Sequence, residues 1–287
     1  MSTPLAKLQA LRRQAGSTGT VGSEVTAQCA ASNLRMALRR AVTLRHQSTT
    51  AQRGNDRQLL GQEIAPGLHL FERTVALPFE LPLQFCGAFD RGDSVAAGDV
   101  LFFDTETTGL TGGTGTRAFM VGTAQYVDGN AVHVRQLLIS NMTAERAMLE
   151  TFGRWVTPST VFCSYNGKSY DAPLLRTRFR LARLGDPFAQ RRHVDLLYPS
   201  RRQYKGSFEN CRLQTIERNA LRIVREDDLP GSEAPAAWLN YLRGGDAVNL
   251  RRVGEHNLQD VVTLAQLLPH LSFLRSAAAP ILLEPIA

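Results

Sequence analysis

The stretch Leu101-Phe-Phe-Asp104-Thr-Glu106-Thr-Thr-Gly-Leu110 governs the reading of this chain. Residues 100–104 form a short apolar run that ends in acid, the pattern of a strand buried at the centre of a sheet. Asp104 and Glu106 stand at i and i+2, so an extended backbone sends both carboxylates to one face. Adjacent carboxylates repel, and a fold keeps them together mainly where a cation neutralises them. Their hard oxygen donors suit Mg²⁺ or Mn²⁺. Taken alone, the pair also describes a polar turn, because Thr and Gly after an acid often end a strand.

Downstream, residues 109–115 are glycine-rich. They lack the Gly-Lys-Ser/Thr ending of a phosphate-gripping loop and read as a flexible connection at the rim of the site. A second strand is expected over 119–127, a hairpin turn at Asp128-Gly129-Asn130, and a third strand over 132–139. Helical spacing over 144–155 puts Ala147, Met148, Phe152 and Trp155 on one side. Residues 160–165 read as a fourth buried strand, 171 to about 184 as a helix, and 193–197 as a fifth short strand. Helices are expected at 213–221, 236–243 and 254–273. Hairpin-joined strands followed by alternating helix and strand give an α/β fold, a mixed sheet flanked by helices on both faces.

Upstream, residues 62–81 alternate apolar and polar positions (Leu68, Leu70, Glu72, Thr74) among Pro66, Pro78 and Pro82, as short strands or edge hairpins do. Asp90-Arg-Gly-Asp-Ser94 is a turn. The domain plan is therefore a basic, largely flexible arm over 1–60, a short-strand extension over 61–97, a main domain over 98–275 and a tail over 276–287. Within the arm, Leu34, Met36, Leu38 and Val42 suit one short helix.

The charge is as uneven as the texture. The 287 residues hold 33 Lys and Arg against 26 Asp and Glu, a net charge of +7. Residues 1–60 carry nine of the bases and two of the acids, which leaves 24 of each over 61–287. All the excess positive charge lies in the arm, where it suits either contact with nucleic acid or a solubilising leader. A hydrophobic content of 43% is that of an ordinary soluble globular protein, and the longest apolar runs fall well short of the roughly 18 residues of a membrane-spanning helix. With no secretory signal legible, a cytoplasmic location is expected. Cys29, Cys86, Cys163 and Cys211 are widely spaced, which suits buried free thiols better than a zinc cluster or disulfides.

Two more segments carry acid. Ser164-Tyr-Asn166-Gly-Lys168-Ser-Tyr-Asp171 follows the fourth strand, and its Asn-Gly turn delivers Asp171 to the start of a helix. Capping of that helix is the alternative role. Glu255-His256-Asn257-Leu-Gln-Asp260 sets His256 and Asp260 four apart on one helix face, a face that solvent also explains.

The Asp-x-Glu-Thr-Thr-Gly-Leu, Asn-Gly-x-x-x-Asp and His-Asn-x-x-Asp segments, in this order, resemble the three exonuclease motifs of the DEDD superfamily, which has a ribonuclease-H-like fold. His193-Val-Asp-Leu-Leu197, Leu213-Gln-Thr-Ile-Glu217 and Arg225-Glu-Asp-Asp-Leu-Pro-Gly231 narrow the resemblance to the YprB-type ribonuclease-H-like domain, over roughly 61–275. The resemblance implies that Asp104, Glu106, Asp171 and Asp260 hold two divalent cations, Mg²⁺ or Mn²⁺. Such a pair, about 3.5–4 Å apart, suits in-line phosphodiester displacement. His256 is the candidate base for the attacking water. Three residues separate it from Asp260, the spacing of the superfamily's tyrosine subclass rather than its histidine subclass, so Asn257 is an alternative group to orient the water.

Thr107, Asn166, Lys168 and Asn257 are the candidate substrate contacts, and Asp195 either supplements the metal site or caps a turn. Arg176, Arg178, Arg180, Arg183, Arg191, Arg192, Arg201 and Arg202 suit a phosphate backbone. Tyr165, Tyr170, Tyr198 and Tyr204 suit either base stacking or core packing. The implied activity is a 3′→5′ exonuclease on single-stranded RNA or DNA. A nucleic-acid-binding module without turnover and a scaffold working through its basic arm are the alternatives. No protein partner is readable.

Overall fold

The computed structural model describes residues 56–85, 94–109, 115–127, 130–225 and 228–278, the side chains of 275–278 excepted. Along the chain run β1 (Gln62–Ala65), β2 (Leu68–Ala76), β3 (Gln84–Phe85), β4 (Val95–Ala96), β5 (Val100–Thr107), β6 (Ala118–Val127) and β7 (Ala131–Ile139). Then follow α1 (Glu145–Arg154), β8 (Val161–Ser164), α2 (Asp171–Leu181), β9 (Arg192–Asp195), α3 (Leu197–Tyr204) and α4 (Leu213–Ile216). Helix α4 passes into a π-helical turn, Glu217–Leu221, before α5 (Ala234–Leu242) and α6 (Val248–Ala278).

Seven strands form one mixed sheet in the order β1-β2-β7-β6-β5-β8-β9, with β3 and β4 paired separately. From β1 to β5 all neighbours are antiparallel, whereas β8 and β9 run parallel to β5. Strand β5 is thus where the sheet changes character, and its C-terminal end lies beside those of β8 and β9. In open α/β sheets that edge is where ligands bind.

The alternation of β5 sorts the two cores. Leu101 and Phe103 face one core, shared with Met148 and Phe152 of α1, Leu175 and Phe179 of α2, and Trp238 of α5. Val100 and Phe102 face the other, shared with Leu258, Val261, Leu264 and Leu268 of α6. Burial on both faces explains why this strand is apolar at every position until its acid. By the same alternation Asp104 and Glu106 lie on the α6 side, and Thr105 on the α2 side.

The expected sheet and its helices are present, with differences at element ends. The fifth strand was expected to reach 197, but it stops at Asp195 and Leu197 opens α3. The Asp195 carboxylate accepts the Leu197 N–H at 3.1 Å and turns the chain out of the sheet. Helix α5 begins at Ala234 rather than 236. The last helix starts at Val248, not 254, where Asp246 accepts the Val248 N–H at 3.1 Å. It runs through Gly254 and Pro269, because its apolar positions serve both cores in turn. Strand β2 pairs with the whole length of β7, so the 61–97 segment supplies an edge of the main sheet.

Outside the described residues lie the arm up to 55, Asp90–Asp93 of the expected turn, most of the glycine-rich connection, Asp128-Gly129 and the chain beyond 278. Cys29 and Cys86 are there too, while Cys163 and Cys211 are free thiols, buried and half-buried. Among the described residues no helix is long and apolar enough to cross a membrane.

Candidate active site

Strand β5 carries Asp104 and Glu106 to the C-terminal edge of the sheet, and α2 brings Asp171 from the opposite side. The two sides meet at Thr105, whose hydroxyl donates to the Asp171 Oδ1. Helix α6 supplies Asp260 from the face that Asp104 and Glu106 share.

The electrostatics record how close the four acids come. Burial raises the Asp104 carboxyl well above the usual range, and the charges of Asp260, Asp171 and Glu106 raise it further. Glu106, 7% exposed, is raised by burial and then by Asp260, Asp171 and Asp228. Burial pushes Asp171 up to about 6, against the hydrogen bond from Thr105. Asp260 is raised by burial, opposed by Arg225 and His256. Each carboxylate is thus destabilised as an anion by its burial or by its neighbours.

A small polar network sets the position of Asp104. Asn257, fully buried, donates through Nδ2 to the Asp104 Oδ2 at 2.9 Å. Its Oδ1 accepts from the Gln136 Nε2 at 2.8 Å, and the same Nε2 donates to the Gly254 carbonyl. Gly122 stands opposite Asp104 on β6, and a Cβ there would fall 2.0 Å from the Asn257 Oδ1. Asn257 therefore reaches Asp104 only because residue 122 has no side chain. This structure sets Asn257, a candidate substrate contact, fully buried against Asp104 and Gln136.

The turn before α2 is held from β9. Asp195, 4% exposed, accepts the Asn166 N–H at 2.7 Å and the Lys168 N–H at 3.1 Å. Asn166 adopts φ +64°, a left-handed conformation Asn tolerates better than most residues. Gly167 passes so near Ser164 that a Cβ would meet its Oγ at 2.4 Å. Of the two roles weighed for Asp195, these bonds match turn capping. Lys168 is exposed beside the site, and Thr107 donates to the Gly109 carbonyl at 2.9 Å.

His256 and Asp260 lie on one face of α6 and are both largely buried, His256 at the wall of a surface cavity. The Nδ1 of His256 lies 2.6 Å from the Asp228 Oδ1, and its Nε2 lies 3.7 Å from the Asp260 Oδ2. Arg225 donates to the Asp260 Oδ1 and forms a two-pronged pair with Glu217, at 2.7 Å through Nε and 2.6 Å through Nη2. Thr263 donates to the same Glu217 carboxylate. Glu217, Arg225 and Asp228 thus form a charged brace behind Asp260 and His256. All three belong to the 213–217 and 225–231 segments, which were informative as a resemblance but not as individual site residues. Thr105, Gly122 and Gln136 were missed as well. A glycine inside a strand and a buried glutamine were their only signals.

The eight arginines singled out over 176–202 do not form one track. Arg178 is buried in a two-pronged pair with Glu145, at 2.6 and 2.7 Å. Arg176 pairs with Asp186 at 3.4 Å, Arg191 donates to the Thr157 carbonyl and Arg192 to the Ser94 carbonyl. Tyr165 and Tyr204 are tied into the fold, to the Cys211 carbonyl and to His270, whereas Tyr170 and Tyr198 are exposed.

The donor set of Asp104, Glu106, Asp171 and Asp260 fits a hard divalent cation, since it is all carboxylate and short of compensating charge. As they stand, no three His, Cys, Asp or Glu side chains among the described residues are arranged to enclose a metal. The Arg225 bond to Asp260 and the Thr105 bond to Asp171 occupy two of the carboxylates.

Comparison with known proteins agrees with the fold. The family model of the RNase_H superfamily matches residues 101–272. The uncharacterized protein YprB of Bacillus subtilis (strain 168) is 36% identical over 175 residues, 61% of this chain and 42% of that protein. The chain thus spans less than half the length of this relative. Among solved structures, the family B DNA polymerase of the archaeon Pyrobaculum calidifontis has a TM-score of 0.47 at 18% identity, covering 60% of this chain and 24% of the polymerase. Zinc-bound E. coli exonuclease I with single-stranded DNA has a TM-score of 0.41 at 14% identity, covering 62% of this chain and 41% of the exonuclease. At these values neither likeness bears on activity. The chain belongs to the RNase_H superfamily, with a ribonuclease-H-like domain of the YprB type.

Proposed function

We propose that this protein is a metal-dependent nuclease that hydrolyses phosphodiester bonds, with the ends of single-stranded RNA or DNA as substrate and 3′→5′ polarity. One observation carries the reading: four carboxylates from three separate segments gather at one end of β5, where burial, and then the charges of the other three, raise the Asp104 carboxyl. A fold that maintains such crowding gains from a cation placed among the acids. Asp104, Glu106, Asp171 and Asp260 would hold two Mg²⁺ or Mn²⁺ ions. When bound, the ions supply charge stabilisation for the attacking and leaving oxygens of the displacement.

The chain's own groups do the rest. Asn257 and Gln136 fix one oxygen of Asp104, so its other oxygen has a set direction. Asp195 holds the Asn166–Lys168 turn, which keeps the start of α2, and with it Asp171, in register with β5. Asp228, 2.6 Å from Nδ1 of His256, favours the tautomer whose lone pair is on Nε2, against the Arg225 Nη1 that lies 3.2 Å from the same Nδ1. Nε2 can then accept the proton of a water attacking phosphorus. Lys168, exposed beside the turn, offers a charge for a phosphate.

A second reading has an observation of its own. The Arg225 guanidinium already neutralises Asp260, as it would in a module that binds nucleic acid without turnover.

A cleavage assay on 5′-labelled single-stranded RNA and DNA with Mn²⁺ separates the two. The nuclease reading expects stepwise shortening that EDTA abolishes and that Asp104→Ala lowers by roughly a thousandfold or more, about 4 kcal/mol of transition-state stabilisation. Cleavage that persists in EDTA or in the variant removes the metal mechanism. Tight binding with no cleavage selects the module.

A further inference from the structure

A groove of about 990 Å³ opens at the Asn166 turn and runs between α3 and the loop that precedes α4. Tyr165 and Asn166 line its inner end, and Arg201, Lys205, Phe208 and Arg212 line its course. The inner end is therefore the turn that Asp195 fastens beside Asp171, and the outer end is open surface.

The walls are tied down, while the cations are not. Tyr165 donates to the Cys211 carbonyl at 2.6 Å, joining the β8 end to the far wall. Asn210 accepts from the Arg212 N–H at 2.9 Å and the Thr215 hydroxyl at 2.7 Å, which fixes the loop onto α4. Phe208 stacks on Tyr204 with ring centroids 4.8 Å apart and planes within 13°. By contrast Arg201, Lys205 and Arg212 are all exposed at the surface. The acid on this lining, Glu209, is engaged by Arg218. Three cations thus face one groove and the acid among them is already taken, an arrangement that an anion relieves.

We infer that this groove is the track for the single-stranded nucleic acid leading to the carboxylates. Arg201, Lys205 and Arg212 contact consecutive phosphates, and the rings of Tyr165 and Phe208 flank the bases. The inference rests on the nuclease reading, because it takes the carboxylate cluster as the place where the strand ends. A single strand is the occupant that uses both features, since a cation-lined groove follows its backbone and aromatic faces meet its unpaired bases. The groove residues touch no reacting atoms. They act on affinity and on salt dependence, not on the chemical step.

The test measures binding of a fluorescein-labelled oligothymidylate and the matching oligouridylate, each of about 12 nucleotides, by anisotropy in EDTA over a salt series. The full chain is compared with Arg201→Ala/Lys205→Ala/Arg212→Ala and with an Arg180→Ala/Arg183→Ala control at the C-terminal end of α2 and just past it. Near-ultraviolet circular dichroism checks that each variant is folded. Three lost phosphate contacts should reduce the slope of log affinity against log salt by about 2, since each contributes roughly 0.7 on a single strand. Affinity at moderate salt should drop on the order of ten- to a hundredfold.

The control should keep the slope of the unaltered chain. The single variant Lys205→Glu should weaken binding in the same direction. An unchanged slope in the folded triple variant overturns the track, as does an equal loss in the control. Polyglutamate displacing the oligonucleotide at equal charge concentration also overturns it, because the groove would then take any polyanion. If the groove variants lose binding while the unaltered chain cleaves nothing with Mn²⁺, the groove stands as a single-strand binding site, and the nuclease reading falls together with the strand's end at the carboxylates.

Discussion

Glu145 at the start of α1 and Glu106 at the end of β5 are both buried acids, 8% and 7% exposed. Around Glu145 the charge is closed: Arg178 grips both oxygens, and Arg117 adds a bond at 2.5 Å. Around Glu106 it is open: burial raises its carboxyl, and Asp260, Asp171 and Asp228 raise it further against the opposing charge of Arg225. The first arrangement pins α1 to α2 and asks for nothing more. The second weakens the folded state unless something positive joins it. One fold thus uses buried charge in two ways, and the excess acid marks where a ligand completes the structure.

Removing the two acids should therefore have opposite effects, and the larger belongs to Glu145. Glu145→Ala takes from the buried Arg178 the carboxylate that it grips and should cost about 3–5 kcal/mol, measured by urea unfolding. A loss below about 1 kcal/mol would mean that this cluster is no more closed than the other. Gly122→Ala comes next, because its Cβ has no room beside Asn257. It should cost about 1–3 kcal/mol by overpacking and lower cleavage further through displaced Asp104. Full stability and full activity in this variant would show that Asn257 does not set Asp104.

The smallest effect has the opposite sign. Glu106→Gln should stabilise the metal-free protein by about 1 kcal/mol, since it removes repulsion at a strained site. Its companion is a pH dependence. A carboxyl whose folded-state pKa is raised keeps its proton more tightly when folded. The contribution of Asp171 is therefore fully present below 3.8 and lost as pH rises through about 6. Metal-free stability should fall over that window, and Mg²⁺ or Mn²⁺ should restore it on the alkaline side. A profile unaffected by either ion would sharpen the comparison against the open cluster.

Much of the fold was legible because period and burial agree. The run Val100 to Phe103 had the pattern of a buried central strand, and the four candidate acids were visible from three short segments. What escaped were contacts made across the sheet. Gly122 and Gln136 belong to strands whose sequence says nothing about Asn257, which arrives from α6 more than a hundred residues later. Arg225 joins Glu217 to Asp260 across a π-turn that no spacing rule announces, so that bridge was not legible in the sequence. The start of α6 was placed six residues late, at Gly254, a weak helix former, although Leu250 and Val253 before it pack into the core. The arginine-rich stretch misled in the other direction, since composition cannot separate Arg178, which holds the fold, from Arg201, which faces a groove.

Manganese binding tests the central claim most directly. Free Mn²⁺ can be followed by electron paramagnetic resonance as the full chain is titrated at neutral pH, in parallel with Asp104→Asn. The four-carboxylate account predicts two ions per chain for the unaltered protein and a clear loss of binding in the variant. Equal binding by the two proteins, or none by either, would contradict it.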